Sequence, residues 1–194
     1  MLAYNGYKTL DDETQNVIQG QLASGERLLW HGRPEQGILF RPADAFMIPF
    51  SLLWGGFVLF WEYSAISMEA PLFFVLWGIP FVAVGLYMIV GRFLVDAKQR
   101  ATTFYGVTSQ RVIIVSGISS RKVKSLNLRT LSDLSLDERA RGNGSISFGA
   151  SHPFAQWTGG MPWPGMPSLS PAFERVEGAR SVFEIIRKAQ GAAT

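Results

Sequence analysis

The chain contains no cysteine, so a disulfide framework, a thiolate nucleophile and a cysteine-based metal site are all excluded. Histidine is nearly as scarce. His31 and His152 are the only two, far apart and without carboxylates at ligand spacing, which argues against a histidine metal centre and leaves each as an ordinary surface or loop histidine. No Ser/His/Asp set, Walker-type loop or paired-carboxylate motif can be picked out, and the Gly142-Asn143-Gly144 turn lacks the flanks of a phosphate-binding loop. Nothing here points to a cofactor or a reaction, and the expectation is a non-catalytic protein.

Charge is missing from residues 71–90, PLFFVLWGIPFVAVGLYMIV, and residues 45–61, AFMIPFSLLWGGFVLFW, carry Ser51 as their one polar side chain. Each run has about the length of a bilayer-spanning helix, and neither keeps the polar stripe of a helix in a soluble bundle. Residues 62–70 between them are too few for anything but a reversal, so the expectation is an antiparallel transmembrane hairpin over 43–92. The runs are internal and the N-terminus is polar, with Asp11, Asp12 and Glu13, which does not fit a cleaved signal peptide.

Lysine and arginine are absent from the reversal, which holds only Glu62 and Glu69, whereas Arg33 and Arg41 precede the first run and Arg92, Lys98 and Arg100 follow the second. This bias predicts both termini on the cytoplasmic side of the membrane. Trp61 and Tyr63 at one end and Tyr87 and Phe93 toward the other suit the interfacial positions. The net charge of +3 is unevenly spread: residues 92–142 hold ten Lys/Arg against four Asp/Glu. A basic segment beside a membrane is drawn to anionic headgroups, and without a nucleic-acid-binding signature around it nucleic acid is not the expected partner.

Periodicity changes outside the hairpin. Residues 1–42 form an N-terminal segment with a helical stretch at 11–22, where Val17, Ile18 and Leu22 share a face, then a short strand in ERLLWHGRP. Residues 98–194 read as a second domain. Two β-branched and aromatic stretches, 102–107 and 111–117, flank the turn at 108–110, and further strands are expected at 122–128, 131–137, 145–148 and 172–176. Short strands at such spacing suggest a small barrel or sandwich. An amphipathic helix at 179–190 places Ala179, Val182, Phe183 and Ile186 on one face and should cap the sheets. Residues 151–171, rich in Pro, Gly and Trp, read as a long loop. The fold class is therefore α+β, with a two-helix hairpin beside a β domain capped by a C-terminal helix.

The order GERLLWHGRP, hairpin, FYGVTSQRVIIVSG, KVKSLNLRTLSDLSL, GNGSISFG and FERVEGARSVFEIIRKA resembles the bacterial pleckstrin-homology-like (PH-like) membrane proteins over Glu26 to Ala189. Its most recognisable piece is the strand pair carrying Tyr105, Val107, Thr108, Arg111, Val112 and Ile113. The resemblance implies a small bent β-barrel closed by a C-terminal helix. This chain departs from the family in its longer 151–171 loop and in lacking a proline before the last helix.

Several residues are candidates for function. Arg111 could contact a headgroup or partner, but a structural arginine tying strands to loop carbonyls is the better reading. Arg121, Lys122 and Lys124 could meet anionic lipid or simply guard a strand edge. Trp157 and Trp163, with Met161 and Met166, could insert shallowly into headgroups, bind a peptide or form a lid. Gly55, Gly56, Gly78 and Gly85 are expected to let the two helices pack closely, and neither helix is expected to carry a buried charge of the kind a transport path needs. These features suggest a membrane-anchored binding module for lipid or an unidentified protein, or else an oligomeric structural subunit.

Overall fold

The computed structural model describes residues 2–139, 142–149 and 171–193. They form two compact units, one drawn from 2–37, 98–149 and 171–193, the other from 38–97. Trp157, Met161, Trp163 and Met166 and His152 lie outside the described residues.

The first unit contains all seven strands found among the described residues. Helix α1 (Leu2–Gln19) is followed by β1 (Leu28–Gly32), and after the second unit come β2 (Phe104–Thr108), β3 (Arg111–Ser116), β4 (Lys122–Asn127), β5 (Leu134–Glu138), β6 (Asn143–Phe148), β7 (Ala172–Glu177) and the C-terminal helix α5 (Ala179–Ala193). All neighbours are antiparallel, in one sheet ordered β1-β2-β3-β4 and another ordered β5-β6-β7. Alternation along β6, where Gly144, Ile146 and Phe148 are buried and their neighbours half-buried, turns one face of the second sheet onto the first.

Phe173 sits fully buried at the centre of the core, its ring 4.5 Å from Tyr105, 4.9 Å from Phe148 and 5.6 Å from Trp30. Val182, Ile186 and Ala189 of α5 complete this core, so the amphipathic face read at 179–190 is the buried one. The Tyr105 hydroxyl accepts from the Glu174 amide, and burial pushes its pKa up. A second, smaller core lies on the opposite face of the first sheet, where Ile18 of α1 packs with Phe104, Ile113 and Val115. Gly106 makes this fit possible, because a side chain there would begin 2.5 Å from Ile18 Cγ2.

The N-terminal segment is thus not separate from the β domain. β1 pairs with β2, with His31 opposite Gly106 and Gly32 opposite Tyr105, and the hairpin unit is an insertion between adjacent strands. His31, within the short strand read from the sequence, has its Nδ1 3.5 Å from Asp11 Oδ1. Arg33 stacks over Phe104 at 4.3 Å and reaches Glu13 at 2.9 Å, tying β1 to both its neighbours. Beyond β1, the Glu35 amide donates to Arg175 O and links the two sheets at this corner.

The second unit holds α2 (Asp44–Ser67), α3 (Leu72–Leu86) and a π-turn (Tyr87–Gly91) that continues without a break into α4 (Arg92–Ala101). Two helical spans, Asp44–Ser67 and Leu72–Ala101, are long and apolar enough to cross a membrane. The reversal is shorter than the expected 62–70: α2 runs through Glu62 to Ser67, because residues 62–67 can extend the helix and Ser64 Oγ donates back to Phe60 O. The runs 45–61 and 71–90 carry no charge, but charges lie at their ends. Half-buried Glu62 projects between the helices onto Gly78, its Oε2 buried without a hydrogen-bond partner, and at the opposite end Asp44 and Arg92 pair at 2.6 Å, both more than nine-tenths buried.

Candidate functional site

Arg111 is the residue the sequence singles out most strongly, and its surroundings show what it does. It opens β3 directly after the Thr108-Ser109-Gln110 turn and sends a two-pronged guanidinium to Glu26, Nε to Oε1 and Nη2 to Oε2, both at 2.9 Å. Nη2 also donates to Gln21 O at 2.9 Å and Nη1 to Ser125 Oγ at 3.2 Å. Glu26 receives the Thr108 hydroxyl at 2.6 Å and the Ala23 amide at 2.8 Å, and its side chain has no solvent exposure. Thr108 Oγ1 in turn accepts from the amides of Gln110 and Arg111, which fixes the turn. The Glu26–Arg111 pair thereby joins the segment after α1, the β2–β3 turn and β4.

Burial acts to raise the Glu26 pKa, but the hydrogen bonds from Arg111, Ala23 and Thr108 outweigh it and hold the carboxyl at about 2. The same bonds raise Arg111 above its ordinary value. A guanidinium committed in this way is a structural tie, with its side chain 31% exposed. Sequence reasoning missed Glu26, since a lone glutamate before a strand carries no signal of a partner 85 positions away.

The basic cluster is arranged differently. Among the described residues β4 is an edge strand of the first sheet, and Arg121, Lys122, Lys124 and the intervening Val123 are all exposed. Lys124 and Lys122 lie opposite Ile114 and Ser116 of β3 in the ladder. The turn joining the two strands carries Ile118, 43% exposed, and Val123 in β4 is 47% exposed. Gly117 at its start has φ of 135°, and a side chain there would collide with Ser120 O, so the turn conformation requires glycine.

Within the hairpin unit, Gly55 and Gly85 face one another so closely that a side chain on Gly85 would start 3.3 Å from Gly55 Cα. Gly78 leaves room for Glu62. Gly56 faces open space, so it is not one of the close-packing points the sequence suggested, as it lies on the other side of α2. At the end away from the reversal, Arg41 Nη2 reaches Asp96 at 2.8 Å and its amide donates to Asp44 Oδ2 at 2.6 Å, alongside the Asp44–Arg92 pair.

Two sheets of four and three antiparallel strands, followed by a helix that closes the core between them, agree with the family suggested by the Tyr105 to Ile113 motif. The family model of the bacterial PH domain matches residues 47–190. The chain belongs to the bacterial PH domain family. No match was found among curated proteins or among solved structures. The match to the bacterial PH domain spans both apolar helices and runs into α5, but starts after β1. The structure adds to it the edge strand and α1, which the domain needs to cover Phe104, Ile113 and Val115.

Proposed function

We propose that this bacterial PH domain protein is a non-catalytic binding and scaffold module held at the cytoplasmic face of the inner membrane by its helical hairpin. One observation carries the reading: the hairpin is inserted between β1 and β2, two strands that hydrogen-bond to each other. Strands in one sheet must lie on the same side of a bilayer, so the insertion has to cross it an even number of times. Two apolar spans meet that requirement. Large side chains such as Leu53, Leu72 and Phe73, each at least 66% exposed, support lipid contact, since a helix buried in a soluble core would hide them. The positive flanks and the cation-free reversal favour the inner side for the domain.

The partner belongs to the exposed surface of the domain, because the Arg111–Glu26 pair is occupied internally. The alternative of an oligomeric structural subunit drew on the glycines of the helices, yet Gly55 and Gly85 are used against each other within one chain. Washing native membranes with alkaline carbonate tests the anchoring. The full chain should remain in the membrane pellet, and its release into the supernatant would rule out a spanning hairpin.

A further inference from the structure

Resting on the reading that the hairpin spans the membrane, we propose that Glu62 makes the hairpin a docking site for the transmembrane helix of a second protein, one that carries a lysine or arginine in its outer half. Glu62 lies on the face of α2 that meets α3, in line with the buried Val58, Gly55 and Ser51 one, two and three turns earlier. α2 runs on past it to Ser67, a further ~7.5 Å at about 1.5 Å per residue. The side chains beyond it at the tip, Ile66, Met68, Leu72 and Phe73, are apolar and exposed, which sets the carboxyl inside the apolar band and not at its rim. Gly78 is shaped around it, since even a Cβ there would collide with Oε2.

A carboxylate at membrane depth is costly unless a cation or a set of donors meets it. Oε2 is buried without a hydrogen-bond partner among the described residues, and residues 42–91 contain no Lys, Arg or His that could reach it from within the hairpin. The two arginines that frame the spans, Arg41 and Arg92, are paired with Asp96 and Asp44 at the opposite end. The Glu62 side chain is half-buried, so the two helices do not seal it off from a neighbour. A second copy of this chain cannot supply the cation, because it would share the membrane orientation and set one Glu62 against another. Charge complementarity therefore selects a different protein with a basic side chain at this depth, and the long stem of lysine or arginine suits a carboxylate held between two helices.

The test uses the full chain in phosphatidylcholine nanodiscs with a synthetic probe, a polyleucine transmembrane helix bearing a single lysine about five residues inside one end to match the depth of Glu62. The absence of native cysteine lets an acceptor dye be placed at Ser67→Cys, and the probe carries the donor dye at the end nearer its lysine. Energy transfer should report association about tenfold stronger than with an all-leucine probe. Glu62→Gln should abolish that preference and leave the weak transfer from the all-leucine probe unchanged. Equal transfer from the two probes, or a lysine preference that persists in Glu62→Gln, would overturn the proposal, and the comparison of probes on the unsubstituted Glu62 depends on no variant folding. Transfer between two differently labelled copies of the chain that exceeds transfer from the lysine probe would also overturn it, in favour of a second copy as the occupant. Release of the unmodified chain from native membranes by alkaline carbonate would instead overturn the spanning reading on which the proposal rests.

Discussion

Burial alone would lift the Glu26 carboxyl above the ordinary carboxylate range, yet four donors converge on it and leave it at about 2 against an ordinary 4.5. A folded-state pKa below the unfolded one means stability that is present above about pH 4.5 and disappears as the pH falls toward 2. The shift corresponds to ~3 kcal/mol at neutral pH. Acid unfolding of the full chain in detergent, followed by hydrogen exchange of the β2 and β3 amides, should lose most of its slope in that window when Glu26→Gln removes the titrating group. An unchanged slope would assign acid sensitivity to other carboxylates. Removing the partner is harsher. Arg111→Ala strands a buried charge and should destabilise the domain by about 3–5 kcal/mol, whereas Lys124→Gln on the exposed edge should stay within about 0.5 kcal/mol. Equal effects in a denaturant titration would contradict the structural role given to Arg111.

Elements built from local pattern were legible before the structure. β2 and β3 follow from runs of β-branched and aromatic residues around a three-residue turn, and α5 from its apolar face at helical spacing. What escaped was non-local. β1 was visible as a strand but not as a member of the sheet, because its partner lies beyond a long intervening stretch, of which residues 38–97 fold as a separate unit. Glu62 was read as reversal because it follows directly on an uncharged run, although the helix carries it onward to face a glycine. The glycines differ in role for the same reason, since helical phase against α3 decides which of two neighbours meets it. Gly85→Val should force α2 and α3 apart at Gly55 and cost about 1–3 kcal/mol, while Gly56→Val should be tolerated. Protease resistance of the hairpin in mild detergent gives the comparison, and equal sensitivity of the two variants would mean that the Gly55–Gly85 contact does not hold the helices together.

For the whole molecule, an apolar hairpin is inserted between two paired strands, and on the proposed reading the chain leaves the domain, crosses and returns, and the sheet closes behind it. Deleting residues 1–37 should therefore unseat more than a tail, since β2 would lose its neighbour and Phe104, Ile113 and Val115 would lose Ile18. Hydrogen exchange should rise throughout β2 and β3 in the truncated chain, and unchanged protection would show that the segment is dispensable. The central claim is that the reversal lies outside and the domain inside the same membrane. Single cysteines at Ser67 and at Ser119, at the end of α2 and in the β3–β4 turn, probe it with an impermeant thiol reagent on intact cells, or on spheroplasts where an outer membrane is present. Labelling of position 67 with protection of 119 is the predicted result, and labelling of 119 with protection of 67 would place the domain outside and contradict the account.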